Sequence, residues 1–275
     1  MNLTHWHPHF IDLSPVFEPF KPMAGAIGTF NDWPTCQDLH NLKLRVAHDV
    51  LTCSGVPVRF VPQENAANDA FEQRYEPRIY LSGEVATRPE NWHDFFNALV
   101  WMTFPHAKAT LNQIHYHALI HAAQRNIAKR GPLRDASTLF DESGVIVLSS
   151  QMALMELLRQ HAWKEVFWKY RKAVLSSMRF MVFGHALYEK ALDSYVGMTG
   201  KGIFFQVDEA FFRMKLVEQL HAVDQWLADF LLQKLASNAD LSPIPILGYP
   251  GWSDDNAAVD YYDNTQYFRP LVRTK

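Results

Sequence analysis

Met178-Arg179-Phe180-Met181-Val182-Phe183-Gly184-His185-Ala186-Leu187-Tyr188-Glu189-Lys190 is the stretch on which the fold reading turns. Met178 to Phe183 is a short apolar run of strand length, and Gly184 punctuates it. Beyond the glycine, His185 and Glu189 stand four positions apart, one helical turn, so the segment reads as a strand feeding a turn into a helix start. On such a helix the imidazole and the carboxylate share a face and can converge on one ion, water or substrate.

Working outward, apolar periodicity predicts a helix from Cys36 to Cys53, ending before Gly55-Val56-Pro57, and another from about Asn91 to Phe104. Pro105 opens a further helix running to about Lys129. Helical patterning returns over 151–174 and again over 209–235, where Phe212, Leu216, Leu220, Val223, Leu227 and Leu231 form one stripe. Val58-Arg59-Phe60-Val61, Arg78-Ile79-Tyr80-Leu81 and 202–207 read as short strands. Leu139 to Leu148 reads as two strands around an Asp141-Glu142-Ser143-Gly144 hairpin turn, with Gly144 supplying a positive φ.

The first 35 residues carry Pro8, Pro15, Pro19, Pro22 and Pro34 among aromatics, a composition that resists regular structure and suits an arm wrapped over a surface. From Pro243 the chain is rich in Pro, Gly and Tyr and reads as an ordered but irregular tail. The expected fold is therefore α+β: a single compact helix-rich domain over 36–275 with a small sheet and an aromatic-rich C-terminal tail, and a proline-rich arm over 1–35 packed on it.

An apolar content of 48% against 20% charged residues places the chain far from the disordered class. Its formal charge of −3 disfavours nucleic acid and anionic membranes as partners. The basic cluster Arg125, Lys129, Arg130 and Arg134 breaks that balance, either as cations at a helix end or as an anion site. Cys36 and Cys53 form no C-x-x-C pair, the opening residues lack a secretory pattern, and no apolar run approaches the ~20 residues that span a bilayer. These features point to a reducing, cytoplasmic setting. A G-x-S-x-G elbow, a Walker A loop, a G-x-G-x-x-G fingerprint and a cysteine cluster are all lacking, which disfavours serine hydrolase, P-loop, Rossmann and zinc-finger readings.

Four blocks carry a family resemblance. They are Trp92 to Trp101 with Phe104-Pro105; Arg134-Asp135-Ala136 with Thr138 to Glu142 and Gly144; Phe183 to Lys190; and Gly248 with Pro250-Gly251-Trp252, Asn256 and Phe268-Arg269-Pro270. In this order they resemble a bacterial family known as domain of unknown function 3025, from roughly residue 75 onward. That resemblance implies no activity, substrate or cofactor, so roles rest on residue chemistry.

His185 and Glu189 have the one-turn spacing of helical metal-ligand pairs, although the full H-E-x-x-H pattern is absent. His93 and Asn97 repeat that spacing, making His93 the natural third ligand or second base. Asp135, beside Arg134, is the carboxylate expected to take part in chemistry, whereas Asp141 and Glu142 suit turn formation. His115, His117 and His121 read as a solvated helix face, and His5, His7 and His9 lack the strand that a metallohydrolase H-x-H needs.

The catalytic set expected from the sequence is thus His185, Glu189, His93 and Asp135, gathered around one cleft. With metal, His93, His185 and Glu189 hold zinc or a similar divalent ion and Asp135 orients or deprotonates water. Without metal, His185 is a general base whose tautomer Glu189 sets. The function that follows is a small-molecule enzyme of hydrolase or acid–base type. The alternative is a non-catalytic binding or scaffold protein with a protein partner, in which these polar blocks specify the fold. A third reading is phosphate or RNA binding through the cluster near Arg130.

Overall fold

The computed structural model describes residues 5–46, 48–63, 70–125 and 130–271. Its strands are β1 (Arg59–Pro62), β2 (Glu84–Thr87), β3 (Gly144–Ser149), β4 (Met178–Val182), β5 (Thr199–Gln206) and β6 (Ser242–Pro245). Its α-helices are α1 (Ala24–Ile27), α2 (Cys36–Lys43), α3 (Tyr75–Ser82), α4 (Trp92–Thr103), α5 (Pro105–Gln124), α6 (Pro132–Ser143), α7 (Met152–Arg159), α8 (Arg171–Ser177), α9 (His185–Ala191) and α10 (Leu216–Gln233). The fold is α+β and helix-rich, and no helix among the described residues is long and apolar enough to cross a membrane.

β3 is buried at every residue, as expected of a continuous Val-Ile-Val-Leu run at the centre of a sheet. It pairs antiparallel with β4 and parallel with β5, and β6 adds antiparallel to β5, in the order β4-β3-β5-β6. Pro243 and Pro245 are tolerated because β6 is an edge strand. β1 and β2 form a separate parallel pair with α3 as their crossover.

α4 is buried at every residue except His93 and Asp94, so it is a core helix whose partly exposed residues lie only in its first turn. Asn91 caps it by accepting from Asp94 N–H at 3.0 Å. Pro105 restarts the chain as α5, at a position where its missing N–H is harmless. The start of α5 has no local side-chain cap. Instead the buried Asp224 of α10 accepts from the N–H groups of His106 (3.0 Å) and Ala107 (2.8 Å), putting a carboxylate at the positive end of the helix.

Residues of the N-terminal segment reach the same core. Phe10, Phe17 and Phe20 are fully buried, with the Phe17 ring stacked on Phe96 at 5.8 Å and the Phe20 ring 4.3 Å from Tyr188. Proline does not exclude regular structure here, because Pro15–Met23 forms a 3-10 helix for which the fixed φ of proline is suited.

Several sequence expectations are corrected. Arg78 to Leu81 is not a strand but part of α3, where tertiary packing overrides β propensity. The helix expected over 36–53 stops at Lys43, and the positive φ of Gly55 (83°) instead closes a turn bridged by Leu51 and Pro57. The helical segment 151–174 is broken at His161, which has a φ of 56°, and continues through a π-turn at Glu165–Lys169. Asp141 to Gly144 is not a hairpin turn: α6 runs to Ser143 and β3 begins at once. Gly144 has an extended backbone (φ −64°, ψ 139°) and is required for space, since a Cβ there would lie 2.5 Å from Phe140 O. The end of the helix expected at Lys129 lies outside the described residues.

The irregular tail is organised by Asn256, which is fully buried. Its Nδ2 donates to Leu247 O (2.9 Å) and Tyr249 O (2.8 Å), while its Oδ1 accepts from Arg171 Nη2 (3.1 Å) and Gly251 N (3.3 Å). Asn256→Ala removes all four hydrogen bonds and leaves the buried Leu247 carbonyl without its partner, at about 1–3 kcal/mol for such a group, and is expected to lower stability by roughly 3 kcal/mol in denaturant unfolding. A change below about 0.5 kcal/mol, the range of ordinary surface substitutions, contradicts this role.

The second test concerns the junction of β4 and α9. Phe183 N and Gly184 N both donate to Gly144 O, at 2.9 and 3.0 Å, and a Cβ on Gly184 would lie 2.5 Å from Glu142 O, Ser143 Cα and Gly144 N. Because those neighbours are backbone, Gly184→Ala is expected to destabilise by at least about 2 kcal/mol, within the range for overpacking. An unchanged melting temperature contradicts it.

Candidate metal centre and its cleft

The Gly184–Gly144 contact joins two chain reversals: α6 passing into β3, and β4 passing into α9. It sets Asp141 and Glu142, at the end of α6, against His185, at the start of α9. α4 packs on α9 and contributes His93 from its first turn.

The two imidazoles meet edge to face, with ring centroids 4.4 Å apart and an interplanar angle of 78°. Their Nε2 atoms are 3.0 Å apart. Glu142 Oε1 stands 3.7 Å from the His185 Nε2 and 4.0 Å from the His93 Nε2, and these three side chains form a group whose ligand atoms can share one metal ion. Glu189 Oε2 is 3.0 Å from His93 Nδ1 and accepts its proton.

Proton positions follow from these partners. With His93 Nδ1–H committed to Glu189, the neutral ring presents a lone pair at Nε2. If His185 donates its Nε2–H there, its own Nδ1 becomes a bare acceptor, buried and without a hydrogen-bond partner among the described residues. If His185 carries its proton on Nδ1, toward Asp141 Oδ2 at 3.8 Å, two lone pairs face each other across 3.0 Å. That arrangement is stable only with a cation between the rings, either a proton or a metal ion.

Electrostatics in the cleft are divided in the same way. The hydrogen bond to Glu189 raises the His93 pKa despite burial, and Glu142 adds to the effect. Burial pushes His185 down to about 4, against the pull of Asp141. Burial alone would raise Asp141, but Lys108 and His185 outweigh it and hold its carboxyl below the ordinary range. The hydrogen bond to His93 lowers Glu189, whereas burial raises Glu142. Lys108, itself buried, binds Asp141 Oδ1 at 2.6 Å and Asn97 Oδ1 at 2.9 Å, and Asn97 Nδ2 donates to Tyr75 OH at 3.0 Å.

His93, Asn97, Asp141, Glu142 and His185 line a cleft of ≈ 480 Å³ whose walls are mostly polar and include Tyr75, Glu76, Arg78, Arg88, Arg130 and Arg134, with Lys108 and Glu189 behind the lining. Of the residues expected from the sequence, His93 touches both His185, through Nε2, and Glu189, through Nδ1, so Glu189 lies behind His93 and outside the group that could share an ion. Asp135 does not join them: it is half exposed, pairs with Arg130 Nε at 3.5 Å and is not among the cleft-lining residues. His115 is not on a solvated face but buried in the cleft wall, where desolvation brings its pKa to about 4, while His117 and His121 are exposed. Of the basic cluster, Arg130 and Arg134 line the cleft, Arg125 is exposed and Lys129 lies outside the described residues.

Sequence reasoning set Asp141 and Glu142 aside as turn formers and missed Lys108, and it named Arg130 and Arg134 only as part of a basic cluster at a helix end or an anion site, apart from the histidines. Read as a helix, Arg134, Thr138, Asp141 and Glu142 recur at i, i+4, i+7 and i+8 and share one face, so the signal was present in the spacing.

No curated protein and no solved structure matches the chain. Residues 58–272 match the family described as Protein of unknown function (DUF3025). With that match spanning most of its length, the chain belongs to the DUF3025 family.

Proposed function

We propose that this protein is a metal-dependent enzyme of hydrolytic type acting on a small molecule, with His93, His185 and Glu142 as ligands of a divalent ion such as zinc. The observation that carries the reading is the meeting of two Nε2 atoms at 3.0 Å with Glu142 Oε1 at 3.7 and 4.0 Å. Tetrahedral zinc ligands at about 2.0–2.1 Å from the ion are roughly 3.3 Å from one another, so small side-chain adjustments suffice. Three protein donors leave a position for water or substrate, and zinc lowers the pKa of such a water to about 7.

The surrounding residues have definite tasks in this scheme. Glu189, expected from spacing as a ligand, accepts the Nδ1–H of His93 and so turns the Nε2 lone pair toward the ion. Asp141, kept ionised by Lys108, faces Nδ1 of His185 and favours the matching tautomer. Tyr75 receives the Nδ2–H of Asn97, which leaves its own O–H to donate to an oxyanion developing on the substrate. Asp135 has no part in the scheme. The polar, ion-lined cleft supports an enzyme over a scaffold, for which a broad apolar face would be the mark.

Protein purified without a histidine tag is expected to bind about one zinc per chain, and its melting temperature should rise with added zinc, since saturation at a hundredfold excess over Kd stabilises by about 2.7 kcal/mol. His93→Ala and His185→Ala should each abolish that rise, whereas Asp135→Ala should retain it. Absence of a zinc-dependent rise in the parent protein contradicts the metal reading. The zinc-loaded protein should hydrolyse a member of a panel of small esters, amides and phosphoesters, with loss on chelation.

Glu189→Gln separates support from ligation. The ion's donors remain, but the carboxylate that orients His93 is gone, so zinc affinity should fall about 10–100-fold with stoichiometry intact. Titration calorimetry checks this, and an affinity equal to the parent's removes Glu189 from the scheme.

A further inference from the structure

We propose that the cleft holds a substrate oxyanion, a carboxylate or phosphate group, on Arg134 with Arg130 beside it, at the end opposite the His93–His185 pair. This deepens the reading of the cleft as an enzyme site and names the chemical class of its substrate. The other cations in or behind the cleft wall each have a carboxylate partner. Arg88 grips Asp94 through Nε (2.9 Å) and Nη2 (2.8 Å), Arg78 binds Glu84 Oε2 through Nε (2.8 Å), and Lys108 is tied to Asp141.

Arg134 differs from all of these. Among the described residues no carboxylate lies within 4.0 Å of its guanidinium, and its Nε is buried without a hydrogen-bond partner. Arg130, the nearest cation in sequence, donates through Nη2 to Thr138 Oγ1 at 2.7 Å and is only loosely paired with Asp135 at 3.5 Å. Both line the cleft. Burial and the like charge of Arg130 depress the Arg134 pKa, the mark of a cation held in an unfavourable field.

The helix adds to that field. Arg134 lies in the first turn of α6, whose start at Gly131 and Pro132 has no side-chain cap hydrogen bond among the described residues and whose first-turn carboxylate, Asp135, is drawn to Arg130. Two neighbouring guanidinium groups, of which Arg130 alone has a loose carboxylate contact among the described residues, and the uncapped N–H groups are together complementary to a planar or tetrahedral oxyanion, which a guanidinium fork binds through two hydrogen bonds.

Position along α6 sets the substrate's extent. Arg134 and Glu142 are eight residues apart on one helix face, about 12 Å along the axis. A substrate bound at both ends therefore carries its anionic group several bonds from the bond being hydrolysed.

The test is titration of the full chain with inorganic phosphate and, separately, with acetate, following the Nε–H resonance of Arg134 by NMR, assigned from its loss in Arg134→Lys. Saturable shifts are expected for at least one anion, and the tighter of the two identifies a phosphorylated or a carboxylated substrate. Affinity read on the remaining cleft resonances should fall at least tenfold in Arg134→Gln and severalfold in Arg130→Gln. Because Arg134 is unpaired, Arg134→Gln should keep or raise the melting temperature, so its loss of binding is not a folding defect. Binding should survive both chelator treatment and His93→Ala, which separates this proposal from the metal reading. Absence of saturation with both anions, equal affinity in Arg134→Gln, or loss of binding in His93→Ala overturns it.

Discussion

The backbone contact between Gly184 and the Glu142–Gly144 segment is the constraint on which the rest of the site depends. Two chain reversals approach until only hydrogen atoms fit between them, and Gly144 O accepts both Phe183 N–H and Gly184 N–H. A side chain at Gly184 would push α6 and α9 apart, and with them Glu142 and His185, while one at Gly144 would strike the carbonyl and ring of Phe140 in α6. The fully buried β3, paired to β4 on one side and β5 on the other, fixes this junction in the interior of the sheet. Its ends, where strands pass into helices, are where polar groups can gather without disturbing the core.

Charge is distributed in the cleft by pairing. Arg88 with Asp94, Arg78 with Glu84 and Lys108 with Asp141 are ion pairs that shape the walls, and against the upward push of burial their cations hold Asp94 and Asp141 below the ordinary carboxylate range. Buried or half-buried pairs of this kind contribute little net stability but fix geometry, because removing one partner strands the other. The groups left with unmet demands are His185 Nδ1, the facing Nε2 atoms and Arg134. In the proposed scheme these unmet demands are where ligands bind, the metal and its chemistry at one end of α6 and the substrate's anionic group at the other.

Much of the architecture was legible in the sequence because it depends on local pattern. The α4 helix followed from its apolar residues with Asn91 as cap, and the β4-Gly184-α9 passage from an apolar run, a glycine and helical spacing. The one-turn relation of His185 to Glu189 and the pairing of His93 with that helix were readable in the same way. What was not legible depends on contacts distant in sequence. Gly144 reads as a turn glycine when viewed alone, but its φ of −64° suits any residue, and the reason for glycine is the Phe140 carbonyl and ring packed on it. That misreading turned α6 into a hairpin and set Glu142 aside as a turn former. Asp224 capping α5 from α10, over more than a hundred residues, leaves no local trace at all.

If a metal ion is what joins His93 and His185, anomalous diffraction from crystals grown with zinc will show it. One strong anomalous peak is expected at the zinc edge, about 2.0–2.2 Å from both Nε2 atoms and a Glu142 carboxylate oxygen, with the two nitrogens moved apart from 3.0 Å toward ligand spacing. Glu189 should remain hydrogen-bonded to His93 Nδ1. No peak at this position, with the Nε2 atoms still at 3.0 Å, would contradict the metal reading and leave a proton shared between the rings.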